Sequence, residues 1–385
     1  MNETGDRESG TRGIWPRSLA WGVFCASSWA WCIGLFLPTV LRRLLGWPGF
    51  FAFAIPNVLG CAAFGFVLNQ RSSRRLRRMH RPAMLLFSAV TIAYQLLLAG
   101  WTGAALLAPR LSSNAGEPAI WFGAAIGLAC VMAVAAIVAR LGDRALPAIA
   151  IAAWGFSAAV LGFTATAPPM PPAFEPTLDA AQLWGLLPAL LLGFLCCPYL
   201  DLTFHRALRQ GARKVTFTTF GLTFATLIVL VAFLADPDGP LGMRITPLVL
   251  GQLWVQLGFT IGVHAREVRF ASIERRPSAR RWIVPTAVLA GVLLGLPILA
   301  NEPNYLRMLG WYGVVFPAYV LLAMVGERGR PRPRTYALLA VVLAVGIPCS
   351  EWGISTFRLA WMAAPAPILL AATLWLRSRT APARR

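Results

Sequence analysis

"GFLCCPYLDLTFHRALRQ", residues 193–210, decides how the rest of the chain is read. Its first half is apolar enough for hydrocarbon, yet two cysteines, a proline, an aspartate and a histidine follow before the arginines begin. Pro198 has no N–H to give, and its ring clashes with the carbonyl four residues back. A membrane helix through it must break and leave carbonyls near Phe194 without partners, which only a cavity, water or another helix can supply. If the helix ran on, Asp201 and His205 would share a face at i,i+4 spacing, with Pro198 one turn before. Two readings are open. In one, a broken helix lines a solute path and Asp201 is a charge or proton site. In the other, Asp201 pairs with Arg206, Arg209 or a neighbouring helix and anchors an inner gate.

The composition places this stretch in a membrane. Of 385 residues, 57% are hydrophobic and only 13% charged, too little polar surface to keep a soluble domain of this size dispersed. Mean hydropathy is +0.64. Apolar runs of about 18–23 residues recur from end to end, the length that crosses about 30 Å of hydrocarbon. The net charge of +20 suggests nucleic acid in a soluble protein. Here the arginines stand in short clusters between apolar runs, so membrane orientation explains them and nucleic acid is not a partner. The partners are the lipid bilayer and a small-molecule solute. The seven cysteines (25, 32, 61, 130, 196, 197, 349) lie in apolar runs without metal-finger spacing, which predicts reduced, buried thiols. Residues 1–16 are polar and of mixed charge, and no short hydrophobic core with a cleavage site precedes the first span, so no removable signal peptide is expected.

Hydropathy predicts about twelve spans, near 18–41, 50–69, 83–107, 119–139, 146–166, 183–205, 216–235, 247–264, 283–300, 309–326, 335–350 and 357–376. The connections fall into two sets. Arginine dominates 70–81, 140–144, 205–214, 266–281 and 327–334, joined by the tail "RSRTAPARR". The connections 42–49, 109–118, 168–182, 236–240, 301–307 and 351–358 are sparse in cations and hold several acids. The positive-inside rule puts the first set and both termini in the cytoplasm, in a bacterial-type cytoplasmic (inner) membrane crossed many times.

Polar side chains inside spans are the pointers to chemistry, because each costs insertion energy. Of fifteen acids, Asp201 alone is placed well inside a span. In the first span, Ser27 and Ser28 of "CASSWAWCIGLFLP" (25–38) either bond across helices or coordinate a cation. In the eighth, Gln252, Gln256 and Thr260 form one stripe that lines a cavity or stitches two helices. Cys196 and Cys197 point about 100° apart and cannot face one ligand together. His205 and His264 sit at inner helix ends and His80 in a basic connection, which does not suit haem ligation.

Two stretches resemble the sodium/solute symporter family, whose members share an inverted five-helix repeat with the broader amino acid–polyamine–organocation transporters (the LeuT-like fold). "ASSWAWCIGLFLP" is similar to the family's first core helix, with Ala26 and Ser27 matching and Pro38 at its proline. "PNVLGCAAFGFVLNQRSSRRLR" is similar to the following helix, and "CCPYLDLTFHRA" repeats the cadence of the sixth at Pro198, Tyr199, Phe204, Arg206 and Ala207. The resemblance implies an all-α fold with twelve transmembrane helices: a 5+5 inverted core plus two C-terminal helices. The alternative is another twelve-helix transporter bundle. It divides the chain into a tail (1–17), a first repeat (18–167), an external linker (168–182), a second repeat (183–326), two further helices (335–376) and a tail (377–385). It implies an ion site at the carbonyls of Ala26 and Trp29 with Thr260. The family's aspartate after Ala-Ser is Ser28 here, and the eighth helix has no adjacent hydroxyl pair. Na⁺ or H⁺ are the coupling ions to consider; no other cofactor and no metal are implied.

The function expected is a secondary transporter of a small organic solute, not an enzyme. Its solute site is expected at Ser27, Ser28, Trp29, Cys196, Cys197, Tyr199 and Gln256, with Trp29 and Trp31 as lids. Its gate or proton site is expected at Asp201, His205 and Arg206. The alternatives are a non-transporting scaffold or sensor with a transporter-like core, and a membrane-embedded enzyme of lipid or envelope metabolism. The enzyme reading lacks G-x-S-x-G, H-E-x-x-H and a paired acidic loop.

Overall fold

Pro198 ends its helix, and the first span is interrupted as well. The computed structural model describes residues 14–30, 32–107, 116–166, 175–212, 214–234, 236, 241, 243–273, 281–327 and 330–380. Trp31, residues 168–174 of the 168–182 linker and the chain ends lie outside the described residues.

The first span is α1 (Ile14–Trp29), a turn over 30–35, and the start of α2 (Phe36–Val67). α2 bends at Gly46, φ 67°, and its longer part is the second span. The short basic α3 (Gln70–Met79) follows, then α4 (Arg81–Thr102, extended by a π-helical turn to Leu107), α5 (Glu117–Val138) and α6 (Ala145–Thr166). The sixth span is α7 (Ala180–Cys196), a 3₁₀ turn at Cys197–Tyr199, and α8 (Leu202–Arg209). Then come α9 (Lys214–Ala232), α10 (Pro247–Ile273), α11 (Ile283–Leu294), α12 (Glu302–Gly326, with π-helical turns), α13 (Pro333–Ser355) and α14 (Pro365–Thr380).

Among the described residues, ten helices are long and apolar enough to cross a membrane, against about twelve expected. The difference lies in α1, with 16 residues, and α11, with 12. At 1.5 Å per residue neither alone reaches across about 30 Å of hydrocarbon. The chain is a multi-pass membrane protein: Phe51, Leu59, Phe163, Leu222, Ile298 and Leu374 stand exposed on its outside, where lipid replaces water. Cys130 is also exposed, so the expectation of uniformly buried thiols fails there.

The first break has a local cause. Pro38 cannot continue a helix backwards and suits the first turn of a new one. At Gly34 an added Cβ would lie 2.5 Å from the Trp29 carbonyl oxygen, so the turn closes tightly only because no side chain is there. Cys32 takes a left-handed conformation, φ 32°, uncommon outside glycine.

Packing fixes the neighbours. α1 lies on α9 and α6; α2 lies on α7 and α9. α4 packs on α11 and α10, α5 on α10, and α7 on α12. Small residues set the closest approaches, as membrane helix pairs require. At Gly60 of α2, an added Cβ would lie 2.7 Å from the Phe194 carbonyl oxygen of α7, the carbonyl that Pro198 frees.

The described connections of the two sets separate to opposite ends. Arg17 reaches Gln210, Gln70 reaches the Arg209 carbonyl, and Arg206 and Arg266 both meet Asp143 at one end. At the other, Leu44 accepts from Leu178, Arg43 meets Glu302, and Arg307 meets Glu351. At the arginine-rich end, buried His80 joins α3 to α4, with Nδ1 3.1 Å from the Tyr319 hydroxyl of α12 and Nε2 without a partner. Burial lowers its pKa from 6.5 to about 4. The folded protein therefore keeps His80 neutral, while the unfolded chain takes up a proton near pH 6.5. This contribution to stability is complete above that pH and is lost as pH falls through about 4.

Gly60→Ala should lower thermal stability in detergent by about 1–3 kcal/mol through overpacking. Gly251→Ala, where a Cβ meets nothing within 4 Å, should be neutral or slightly stabilising. His80→Gln should flatten the loss of melting temperature between pH 7 and pH 4.5, an effect on the order of 2 kcal/mol; an unchanged acid profile contradicts a neutral buried imidazole.

Candidate functional site between two helix breaks

The two interruptions lie side by side. The Ser28 hydroxyl, at the end of α1, is 2.9 Å from the Thr203 hydroxyl at the start of α8, and 3.0 Å from the Cys25 carbonyl. Side chains from other helices satisfy the backbone there. Thr260 of α10 donates to the Ser27 carbonyl at 3.4 Å, and the Tyr305 hydroxyl of α12 donates to the Cys32 carbonyl. The Cys32 thiol in turn donates to the Tyr94 carbonyl of α4. At the second break, one Asp201 oxygen caps α8, accepting from the Thr203 N–H and hydroxyl, both at 2.7 Å. The Cys61 thiol lies 3.9 Å from the Phe194 carbonyl. These are the partners that non-helical backbone must find inside a bilayer.

Between the breaks is a small cavity of about 20 Å³, room for one water, with polar and aromatic side chains in its lining. Ser28 and Trp29 reach it from the first break and Asp201 from the second. α4 contributes Phe87, Thr91 and Gln95, α10 contributes His264, and α12 contributes Tyr312. Most polar atoms here are engaged. The Thr91 and Tyr312 hydroxyls are 2.7 Å apart, Trp29 Nε1 donates to Asn57 at 2.8 Å, and His264 Nδ1 is 3.1 Å from the Ser88 hydroxyl. Two buried acceptors lack partners: Oδ2 of Asp201, a residue with no exposed surface, and Oε1 of Gln95.

The sequence-predicted residues divide. Ser28, Trp29 and Asp201 line the cavity. Ser27 turns away and donates to the Ala150 carbonyl of α6. Cys197 donates to the Tyr312 carbonyl, and Cys196 is buried close by. Gln252 and Gln256 both donate to the Ser157 hydroxyl, stitching α10 to α6. Ala26 is buried, and Thr260 meets the first break at a carbonyl one residue on. Tyr199 lines a second cavity of about 290 Å³ at the arginine-rich end, beside Ser72, Met79 and His80.

Asp201 pairs with neither Arg206 nor Arg209, so the arginine pairings of the anchor reading are corrected. Asp201 is the N-cap of α8, with non-helical backbone, so its side chain turns to Thr203 although His205 stands one helical turn on. His205 donates from Nε2 to the Tyr199 carbonyl at 2.9 Å and accepts at Nδ1 from Ser73 of α3 at 2.7 Å. Arg206 and Arg209 instead meet Glu267 at 3.2 and 2.9 Å, and Arg206 also meets Asp143. Arg266 joins both acids, so three arginines and two carboxylates bind α8, α10 and the α5–α6 connection together. At the opposite end Arg43 of α2 meets Glu302 of α12.

Sequence reasoning missed Gln95, Thr91, Tyr312 and the central place of His264. Gln95 was legible as the one amide in an otherwise apolar span. His264 was hidden because α10 was expected to end there; it runs on to Ile273 and buries Glu267. Among the described residues no three of His, Cys, Asp and Glu come together as a metal site.

No family model and no curated protein matches the chain. Among solved structures it is similar to a manganese transporter from Eremococcus coleocola in complex with an aromatic bis-isothiourea substituted compound. The identity is 11%, over 99% of this chain and 98% of that one, with a TM-score of 0.44. Two mutant forms of that transporter align at 11% identity over 95% of this chain and 92% of theirs, each with a TM-score of 0.38. At that identity and those scores the likeness says nothing of what this chain binds or moves.

Proposed function

We propose that the protein is a secondary transporter of a small organic solute, working by alternating access around the cavity between the two breaks. The observation that carries this reading is the meeting of Ser28 and Asp201, from two interrupted helices, at one small cavity. Interrupted helices near the midplane present backbone and capping groups to ions and solutes without isolated side-chain charges.

The packing supports an inverted five-helix repeat over 18–167 and 183–326, followed by two helices over 335–376. Exchanging each span with its counterpart five places away in the other repeat turns the first-on-seventh contact into sixth-on-second, third-on-ninth into eighth-on-fourth, and first-on-fifth into sixth-on-tenth. An odd number of spans per repeat sets the second upside down relative to the first. This is the architecture that the likeness to the sodium/solute symporters implies. The positive-inside rule then turns the arginine-rich end and both termini to the cytoplasm, in a bacterial-type inner membrane.

Alternating access needs two closures that do not open together. The five-residue ion network at the arginine-rich end and the Arg43–Glu302 pair at the other supply one candidate each. As a coupling ion, Na⁺ has one hydroxyl, Thr260, near the Ser27 carbonyl, and H⁺ has Asp201. The size of the cavity favours a second reading, a scaffold or sensor that keeps a transporter-like core but moves nothing.

Uptake into proteoliposomes separates the two. Accumulation of some class among amino acids, sugars, nucleobases and organic cations under an H⁺ or Na⁺ gradient is expected; none in any class removes the transporter reading. Glu267→Gln, which takes the charge from the hub of the inner network, should raise labelling of Ser28→Cys by a membrane-impermeant maleimide from the arginine-rich side several-fold over the Ser28→Cys protein alone.

A further inference from the structure

We propose that the cavity beside Asp201 is a site where a small monovalent cation exchanges with a proton. The inference rests on reading the central cavity as the working site, and it names what that site selects.

The bland account of Asp201 is that it caps α8. The cap takes two bonds from Thr203 at Oδ1, and the Phe204 N–H also faces the carboxylate. Asparagine or serine caps a helix about as well, so the cap does not explain a second, negatively charged oxygen. That oxygen is buried, unpartnered and at the cavity. The titratable groups around it come from every neighbouring helix: His264 of α10, Tyr312 of α12, and the thiols of Cys25, Cys61 and Cys197. None is an arginine or lysine. A carboxylate in this place must hold a proton, pair with a protonated His264, or be matched by a mobile cation.

The rest of the lining suits a cation. The second unpartnered atom, Gln95 Oε1, is also an acceptor. Trp29 and Phe87, stacked with centroids 6.2 Å apart, and Tyr312 add aromatic surface, whose faces attract cations. One carboxylate balances one positive charge; a divalent ion would leave a net charge buried in the bilayer. About 20 Å³ admits an alkali ion or ammonium but no bulky amine. The exchange balances: the carboxylic acid of Asp201 gives its proton to water on the open side as the cation enters, and takes one back when the cation leaves.

The test uses the full chain, purified in detergent and weakly buffered. Sodium, potassium, ammonium and methylammonium chlorides are the probes, and N-methyl-D-glucamine chloride is the bulky control. At least one probe should raise the melting temperature and release about one proton per protein, and its Kd should weaken about tenfold for each pH unit below the titration of Asp201. Asp201→Asn should abolish proton release and weaken binding at least tenfold, whereas His264→Gln should keep proton release. Should Asp201→Asn fail to fold, the pH dependence of the wild-type Kd decides. Three results overturn the proposal: no probe binds better than the control, binding is independent of pH, or release persists in Asp201→Asn and vanishes in His264→Gln. Binding needs no transport, so failed uptake with intact cation binding sinks only the transporter reading, and uptake without cation binding sinks only this site.

Discussion

Backbone that leaves the helical ladder inside a bilayer must find partners within the protein, and the centre of this molecule is organised by that constraint. Pro198 and Pro38 interrupt two spans. Three helices packed near the interruptions then carry a polar side chain at the matching height: Thr260 on α10, Tyr305 on α12, Cys61 on α2. These residues look unremarkable one at a time, a threonine, a tyrosine and a cysteine in apolar runs. Their common role shows only when the free carbonyls of Ser27, Cys32 and Phe194 are located.

The same constraint separates two kinds of polar residue. Ser27, Gln252, Gln256 and Ser157 form ordinary bonds between helices, worth about 1 kcal/mol or less apiece in membrane interiors. Asp201 is different in kind. Half of its carboxylate closes a hydrogen-bond account with Thr203, and the other half faces the cavity without a partner. The dipole of α8, whose N-terminus it caps, favours the ionised form, while burial opposes it. A group held between such opposed terms responds to what occupies the space beside it.

Much of this was legible in the sequence. The membrane class, the break at Pro198 and the sorting of the described connections to two ends followed from hydropathy, proline chemistry and arginine placement. What failed did so for definite reasons. Helical periodicity assumes an unbroken helix, so Asp201 and His205 were put on one face, although Asp201 is the non-helical N-cap of α8 and turns its side chain to Thr203, while His205 reaches Ser73. Hydropathy ended the eighth span where charge begins, so the buried Glu267 was counted as connection. Its three arginines make a charged helix end tolerable in the interior, and they come from α8 and α10, far apart in the chain. Gln95 was visible but had no partner in its own span to mark it out.

The length of α8 joins these observations. Its eight residues span about 12 Å, too short to bend and too well capped to fray. At its start, Asp201 touches the cavity; near its end, Arg206 and Arg209 hold Glu267 and Asp143. His205, between them, ties the same helix to α3 through Ser73. A tilt that relieved the free carboxylate oxygen at one end would therefore be felt as a displaced guanidinium at the other, with no relay of side chains in between. The occupant of a cavity of about 20 Å³ and the ion network at the arginine-rich end are thus in contact with one rigid body.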